Sequence, residues 1–137
     1  MAIDEVLVCA PERARRLVEN LRLAHPRALA ERLAKLYGET ADVRVKSRAV
    51  WAIGEPGGEC GIDFLLACTR SAEPNIRRLA ASALGKVVGP AKAAAARIPA
   101  ALVEARKALA ALANDPAPQV RQDAARALAE LRKRGIQ

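Results

Sequence analysis

The sequence is poor in aromatic residues, because its 137 residues include one tryptophan, one tyrosine and one phenylalanine. Proteins that bind single strands by stacking successive bases need several aromatic side chains, so this mode of recognition is excluded. Histidine is equally scarce, and a single His25 excludes most multi-histidine metal sites. Because His25 precedes Pro26 at an expected helix boundary, we interpret it as a turn residue rather than a general base.

Cysteine is also sparse, and Cys9, Cys60 and Cys68 form no CxxC motif. An odd number of cysteines without a signal peptide predicts free thiols, which here are expected as small buried apolar side chains. No apolar run reaches the ~18 residues of a membrane span, and no signal peptide is recognisable. We therefore expect a soluble cytoplasmic protein with no membrane association.

Catalytic patterns are missing as well. The serines have no histidine at a recognisable spacing, and the acidic residues form neither a convincing pair nor a metal box. The glycines around Gly57 and Gly58 lack the preceding strand and following Lys-Ser/Thr of a phosphate-binding loop. The sequence predicts no enzyme, no cofactor and no metal.

What the sequence does have is positive charge concentrated in one half. The formal net charge is +8, and residues 74–137 contain twelve basic against four acidic residues, which accounts for the whole excess. Such asymmetry suggests a polyanionic partner for the basic half. The alternative is a solvated surface, since alanine-rich helices need long polar side chains on their outer faces.

Proline and glycine divide the sequence into segments whose apolar spacing is helical, and no segment alternates with the period of a strand. Prolines are expected at first helical positions, and Pro99 should kink or split the sixth helix. The predicted helices cover residues 11–24, 26–37 (stopped by Gly38), 42–54, 59–70, 74–90, 91–114 and 116–134.

A repeat emerges when the helix starts are aligned. Residues 45–54 (VKSRAVWAIG), 76–85 (IRRLAASALG) and 120–129 (VRQDAARALA) share one pattern. Each copy has a β-branched residue, then a basic one, then small apolar residues and an aliphatic residue. The second interval is longer by 13 residues, which indicates an insertion around residues 88–101.

This pattern resembles the HEAT repeat family, in a short form akin to phycobilisome lyase-type HEAT-like repeats. The resemblance covers residues 40–137, and residues 11–38 match only as a weak N-terminal helical hairpin. It implies one all-α domain over residues 1–137, a right-handed α-solenoid of about seven helices in stacked antiparallel hairpins. It further implies that Lys46, Arg77 and Arg121 bond to acidic or carbonyl groups of adjacent repeats.

The last predicted helix resembles the first helix of a repeat without its second. Its far face lacks a partner unless Arg132, Lys133 and Arg134 cap it, so the chain is expected to be part of a longer protein or to pack against another chain. Self-association through this edge is one form of that expectation.

Two functional hypotheses follow, because a fold does not determine a function. The first is a non-enzymatic scaffold that binds a protein partner through its concave face. The second is an accessory module that binds nucleic acid without sequence preference. A bilin lyase-like or DNA glycosylase-like enzyme is a distant third. The candidate polyanion-binding residues are Arg77, Arg78, Lys92, Arg97, Arg106, Lys107, Arg126, Arg132, Lys133 and Arg134.

Trp51 is the candidate protein contact. The repeat register aligns it with Ser82 and Arg126, at a position that should face outward, and an exposed tryptophan is a good anchor for a partner. The alternative is that Trp51 packs under the N-terminal hairpin beside Tyr37.

Overall fold

A computed structural model describes residues 3–54, 61–87 and 100–133 of the chain. Within these ranges all regular structure is helical and no strand is present. The helices are α1 (Ile3–Val6), α2 (Pro11–Ala24), α3 (Pro26–Glu39), α4 (Val43–Gly54), α5 (Ile62–Cys68), α6 (Pro74–Val87), α7 (Ala100–Leu112) and α8 (Pro118–Lys133).

These bounds confirm the all-α prediction and correct some of its details. Gly38 does not stop α3, which continues to Glu39, and the short helix α1 was not predicted. Helix α7 is described from Ala100 onward, so the kink or break expected at Pro99 lies outside the described residues. The expected insertion at 88–101 lies almost entirely outside the described residues, so it stays a prediction.

Four of the helices begin with proline, since its missing N–H costs nothing at a first helical position. Short polar side chains prepare the turns before α4, α6 and α8. The backbone N–H groups of Asp42, Glu73 and Ala117 donate to side-chain oxygens of Thr40 (3.1 Å), Ser71 (3.2 Å) and Asp115 (2.9 Å), each two residues earlier. The repeat therefore extends from the helix into the turn that precedes it.

The helices form two layers. Helix α6 packs between α4 and α8 in the first layer, while α5 and α7 pack together in the second. The first-layer helices are parallel, because the amide of Asn75 near the start of α6 donates to Ser47 near the start of α4, and the later residues Ala83 and Gly54 also meet. Each apolar stripe is buried only by stacking on the next repeat.

Close packing between the first-layer helices depends on glycine. A methyl group on Gly54 would lie far inside van der Waals contact with the side chain of Ala83. One on Gly85 would lie 2.9 Å from the Cβ atom of Ala127. The last position of the ten-residue motif thus faces the following helix in both of these copies.

The N-terminal hairpin joins the stack differently, because α3 rather than α2 is the main neighbour of α4. The guanidinium of Arg48 fixes the chain before α2 by donating from Nη1 to the carbonyls of Val6 and Cys9, at 3.0 Å each. Val6, Leu29 and Leu33 are fully buried, so this hairpin covers the first end of the stack.

Candidate protein-interaction surfaces

The second motif copy contains a buried ion pair that joins neighbouring repeats. Arg77, at the start of α6, donates from Nε and Nη2 to the two carboxylate oxygens of Asp115, at 2.8 and 3.0 Å. Its Nη1 donates to the carbonyls of Ser71 (3.0 Å) and Ala72 (3.2 Å) in its own turn. The Arg77 side chain is only 15% exposed, and all three of its nitrogens donate to groups of this chain.

Asp115 connects three parts of the fold. It is 8% exposed, and besides Arg77 it accepts the N–H of Ala117 at the start of α8. The hydrogen bonds from Arg77 hold the pKa of this carboxyl below its ordinary value, with smaller contributions from the Ala117 N–H and the charge of Arg121. Folding therefore favours the charged form of Asp115.

A second pairing links the middles of α6 and α8. Asp123 accepts from Arg78 (3.4 Å) and forms an ion pair with Arg126 on its own helix (3.3 Å). Arg78 also donates to the side chain of Asn75, at 2.9 and 3.2 Å. Two of the predicted polyanion-binding residues therefore share one carboxylate of this chain.

The other basic candidates lie on α7 and α8. Lys107 pairs with Glu104 at 3.5 Å and Lys133 pairs with Glu130 at 3.3 Å, both on exposed helix surfaces. Among the described residues, no carboxylate pairs with Arg106 or Arg132. Three of the predicted residues, Lys92, Arg97 and Arg134, lie outside the described residues.

Trp51 is half-buried and packs against the hydrophobic core. Its ring lies under two guanidinium groups, those of Arg15 from α2 (5.8 Å) and Arg48 (5.9 Å). Tyr37 pairs instead with Phe64, edge to face at 5.0 Å. The two guanidinium contacts agree with the alternative in which Trp51 packs under the N-terminal hairpin.

A cysteine lies beneath the first motif copy. Burial raises the pKa of the Cys68 thiol to about 11, and the nearby Tyr37 phenol and Lys46 ammonium only partly oppose this effect. The Lys46 ammonium sits 5.0 Å from the centre of the Tyr37 ring. A thiol with this pKa stays protonated and unreactive near neutral pH.

The second layer presents an open cleft between α5 and α7, with a volume of about 310 Å³. Its apolar part comes from Leu66, Leu112 and two alanines, and charged side chains surround it. Thr69 also lines the cleft, and its hydroxyl donates to the Leu66 carbonyl at 2.6 Å. The full lining is Leu66, Thr69, Arg70, Glu104, Lys107, Ala108, Ala111 and Leu112.

The sequence profile of HEAT repeats matches residues 27–103, which is more than half of the chain. The chain belongs to the HEAT-repeat family. The match runs from α3 through α6 to the start of α7, so it includes the second helix of the N-terminal hairpin and two motif copies. No curated protein matches the sequence.

Within this HEAT-repeat chain, the residues that sequence reasoning missed are acidic. The sequence pattern contains no acidic pair or metal box, whereas in the structure Asp115 pairs with Arg77, 38 residues earlier, and Asp123 pairs with Arg78, 45 residues earlier. For Asp115 a signal was present, since an Asp-Pro turn precedes the third motif copy. Asp123 had none, because its role appears only when α8 is packed on α6.

No helix of the described residues is long and apolar enough to cross a membrane.

Proposed function

We propose that this HEAT-repeat chain is a non-enzymatic scaffold that binds a protein partner in the cleft between α5 and α7. The cleft is the observation that carries this proposal. Its lining combines apolar side chains with charged side chains of both signs, Arg70 and Lys107 together with Glu104. Stacked repeats use such continuous surfaces of successive helices to bind partners.

The chemistry of the described residues supports a scaffold rather than a catalyst. Across the described ranges, no three His, Cys, Asp or Glu side chains come together as a metal site would require. The thiol of Cys68 is buried and protonated, and Asp115 is fully engaged by Arg77 and the backbone. A cytoplasmic location fits this proposal and stays a prediction.

Binding to nucleic acid is the weaker hypothesis. Five of the seven basic candidates in the described ranges pair with carboxylates of the chain itself, so phosphates would have to compete with these partners. These residues also lie on three helices, α6, α7 and α8, which belong to both layers. Scattered charge of this kind suits a scaffold surface.

The test is to block the cleft while leaving the fold intact. Ala111 is exposed and lines the cleft, so Ala111→Arg should fill it with a long charged side chain. Ala24→Arg is the matched control, because Ala24 is also exposed but lies at the end of α2. Both variants and the wild type are immobilised, and proteins captured from an extract of the source cells are quantified by mass spectrometry.

The expected result is a set of proteins captured by the wild type and by Ala24→Arg and lost from Ala111→Arg. Identical capture by all three proteins would contradict the cleft. Labelled duplex DNA is measured in parallel by fluorescence anisotropy at about 50 and 200 mM salt. Binding that weakens steeply with salt, together with no cleft-dependent protein, would replace this proposal with the nucleic-acid hypothesis.

A further inference from the structure

One surface of α8 has the composition of a packing interface but is open. We name it the outer face of α8, and it consists of Arg121, Ala125, Leu128, Ala129 and Arg132. The motif register places Ala125, Leu128 and Ala129 where α6 has Ala81, Leu84 and Gly85.

The same positions are buried in the earlier copies. Ala81 and Leu84 are 0% exposed, and Gly85 touches Ala127 of the following helix. On α8, by contrast, Ala125 and Ala129 are exposed and Leu128 is half-buried. The outer face of α8 is therefore a repeat-stacking surface on which no described helix is stacked.

The orientation of Arg121 indicates what this surface binds. Its Nη1 donates to the carbonyls of Asp115 (2.7 Å) and Pro116 (3.1 Å), six and five residues earlier. Arg77 makes the same two bonds to residues six and five positions before it. Both guanidinium groups are thus held in one orientation by their own turns.

The remaining donors distinguish the two arginines. In Arg77 the Nε and Nη2 atoms hold the carboxylate of Asp115, which belongs to the next repeat. In Arg121 these two donors have no partner among the described residues. A planar fork of this kind binds a carboxylate through two parallel hydrogen bonds, so Arg121 is oriented to receive one.

Charge excludes a second copy of the outer face as the occupant. Its two ionised side chains, Arg121 and Arg132, are both basic. The acidic residues of α8, Asp123 and Glu130, lie on the opposite flank, where they line the gap toward α6. Two copies of the outer face would bring like charges together, whereas an acidic partner would be attracted.

Sterics define the partner further. On α6, even a methyl group at Gly85 would lie 2.9 Å from the Ala127 methyl carbon. The outer face has alanine at this position, Ala129, so a helix seated like α8 needs glycine where α8 has Ala127. In the partner's sequence, the residue whose carboxylate meets Arg121 would lie as far before that glycine as Asp115 lies before Ala127.

We infer that the outer face of α8 docks a helix of an acidic partner protein, seated as α8 is seated on α6. A carboxylate in the turn before that helix pairs with Arg121, and a glycine packs against Ala129. This inference rests on the proposed scaffold function and assigns it a second surface, separate from the cleft between α5 and α7.

The probe is a synthetic peptide of residues 113–133 with Ala127→Gly, which carries both features. A hydrocarbon staple between positions 125 and 129 holds it helical on the side away from the docking surface. Fluorescence anisotropy with the full chain should show saturable binding. Arg121→Lys in the chain, or Asp115→Asn in the peptide, should each weaken binding about tenfold, since each removes a charged two-bond contact. When the variant chain is combined with the variant peptide, the affinity should be only slightly lower than with either change alone.

The controls separate this docking from its alternatives. Restoring Ala127 in the peptide should weaken binding, and Ala125→Arg in the chain should abolish it. A peptide that is helical by circular dichroism but does not bind would overturn the inference. Peptide binding that is unchanged by Ala125→Arg would also overturn the inference, because the peptide would then have displaced α8 from α6.

Two further measurements keep the inference distinct from other binding modes. Binding of duplex DNA and of the peptide is compared between the wild-type chain and Arg121→Lys. If neither affinity changes, the surface attracts anions in general, and the inference is overturned. The cleft variant Ala111→Arg should bind the peptide normally. If the peptide does not bind the chain, but Ala111→Arg still loses the proteins that the wild type captures, the docking on α8 is refuted. The scaffold proposal would then remain intact.

Discussion

Replacing Asp115 with asparagine tests whether repeats are joined by the ion pair between α6 and the turn before α8. The change keeps the size of the side chain and an oxygen that can accept the Ala117 N–H. It removes the negative charge that receives two hydrogen bonds from Arg77, at 2.8 and 3.0 Å. Arg77 retains its two carbonyl partners, so the guanidinium loses its counter-charge without losing every contact.

The expected cost follows from the burial of the pair. Removing one partner of a buried ion pair costs about 3–5 kcal/mol, because the other charge is left uncompensated. The Arg77 side chain is 15% exposed and keeps two acceptors, which places Asp115→Asn near the lower limit, at about 3 kcal/mol. With an unfolding entropy of about 2.1 cal/mol/K per residue, this corresponds to a fall in Tm of about 10 °C.

The assay is urea unfolding followed by circular dichroism, with Glu104→Gln as the control. Glu104 forms an ion pair with Lys107 in which both side chains are more than half exposed. Its loss should change the free energy of unfolding by less than about 0.5 kcal/mol. In a double-mutant cycle, Arg77→Met with Asp115→Asn should cost clearly less than the two single changes together. Additive costs would refute the reasoning, as would an Asp115→Asn variant as stable as Glu104→Gln.

The same pair predicts a dependence on pH. The pKa of Asp115 in the folded chain lies below its ordinary value of 3.8, mainly because of the hydrogen bonds from Arg77. A depressed folded pKa contributes stability that is fully present above 3.8 and is lost as the pH falls through the folded value. The difference in unfolding free energy between wild type and Asp115→Asn should therefore be constant at neutral pH and shrink below pH 3.8. A difference that is the same at pH 3 and pH 7 would contradict the assignment.

Other predictions concern packing and reactivity. Gly54→Ala should cost about 1–3 kcal/mol in urea unfolding, because the added methyl group overlaps Ala83. Gly38→Ala within α3 should instead stabilise the chain by about 0.5–1 kcal/mol, since open space surrounds it; equal effects at both glycines would contradict this packing. The Cys68 thiol, with a pKa of about 11, should resist iodoacetamide at pH 8 until the chain is unfolded, as measured by mass spectrometry of its peptide. Arg48→Met should speed amide hydrogen exchange in the segment before α2, because two backbone carbonyls lose their donor; exchange unchanged from the wild type would show that other contacts hold this segment.

Local signals in the sequence were sufficient to locate most of the described helices. Pro11, Pro26, Pro74 and Pro118 each begin a helix, as their positions predicted. Gly38 was misleading, because glycine ends a helix only where the backbone turns there, and α3 continues through it. The existence of repeats could also be predicted, because stacking imposes the same small and apolar residues on each copy.

The candidate site was less predictable, because its contacts join residues that are far apart in sequence. The repeat register treated Trp51 as equivalent to Ser82 and Arg126, which would place it outward. The structure half-buries it, because Arg15 of α2 and Arg48 lie over its ring, in agreement with the alternative of packing under the N-terminal hairpin. Aligning the repeats predicts only the features that all copies share. The surroundings of Trp51 in the first copy depend on the N-terminal hairpin, which lacks the motif.

The three residues that follow the β-branched position show how place in the stack determines the role of a side chain. Lys46 sits against the ring of Tyr37, which suits a compact ammonium that cannot bind a carboxylate in two parallel bonds. Arg77, between two repeats, uses one edge of its guanidinium for its own turn and the other for Asp115 of the next. Arg121 makes the first set of bonds, and its second edge has no partner among the described residues. The docking proposed for the outer face of α8 would therefore use the same two-bond geometry by which Arg77 holds Asp115 in the middle of the stack.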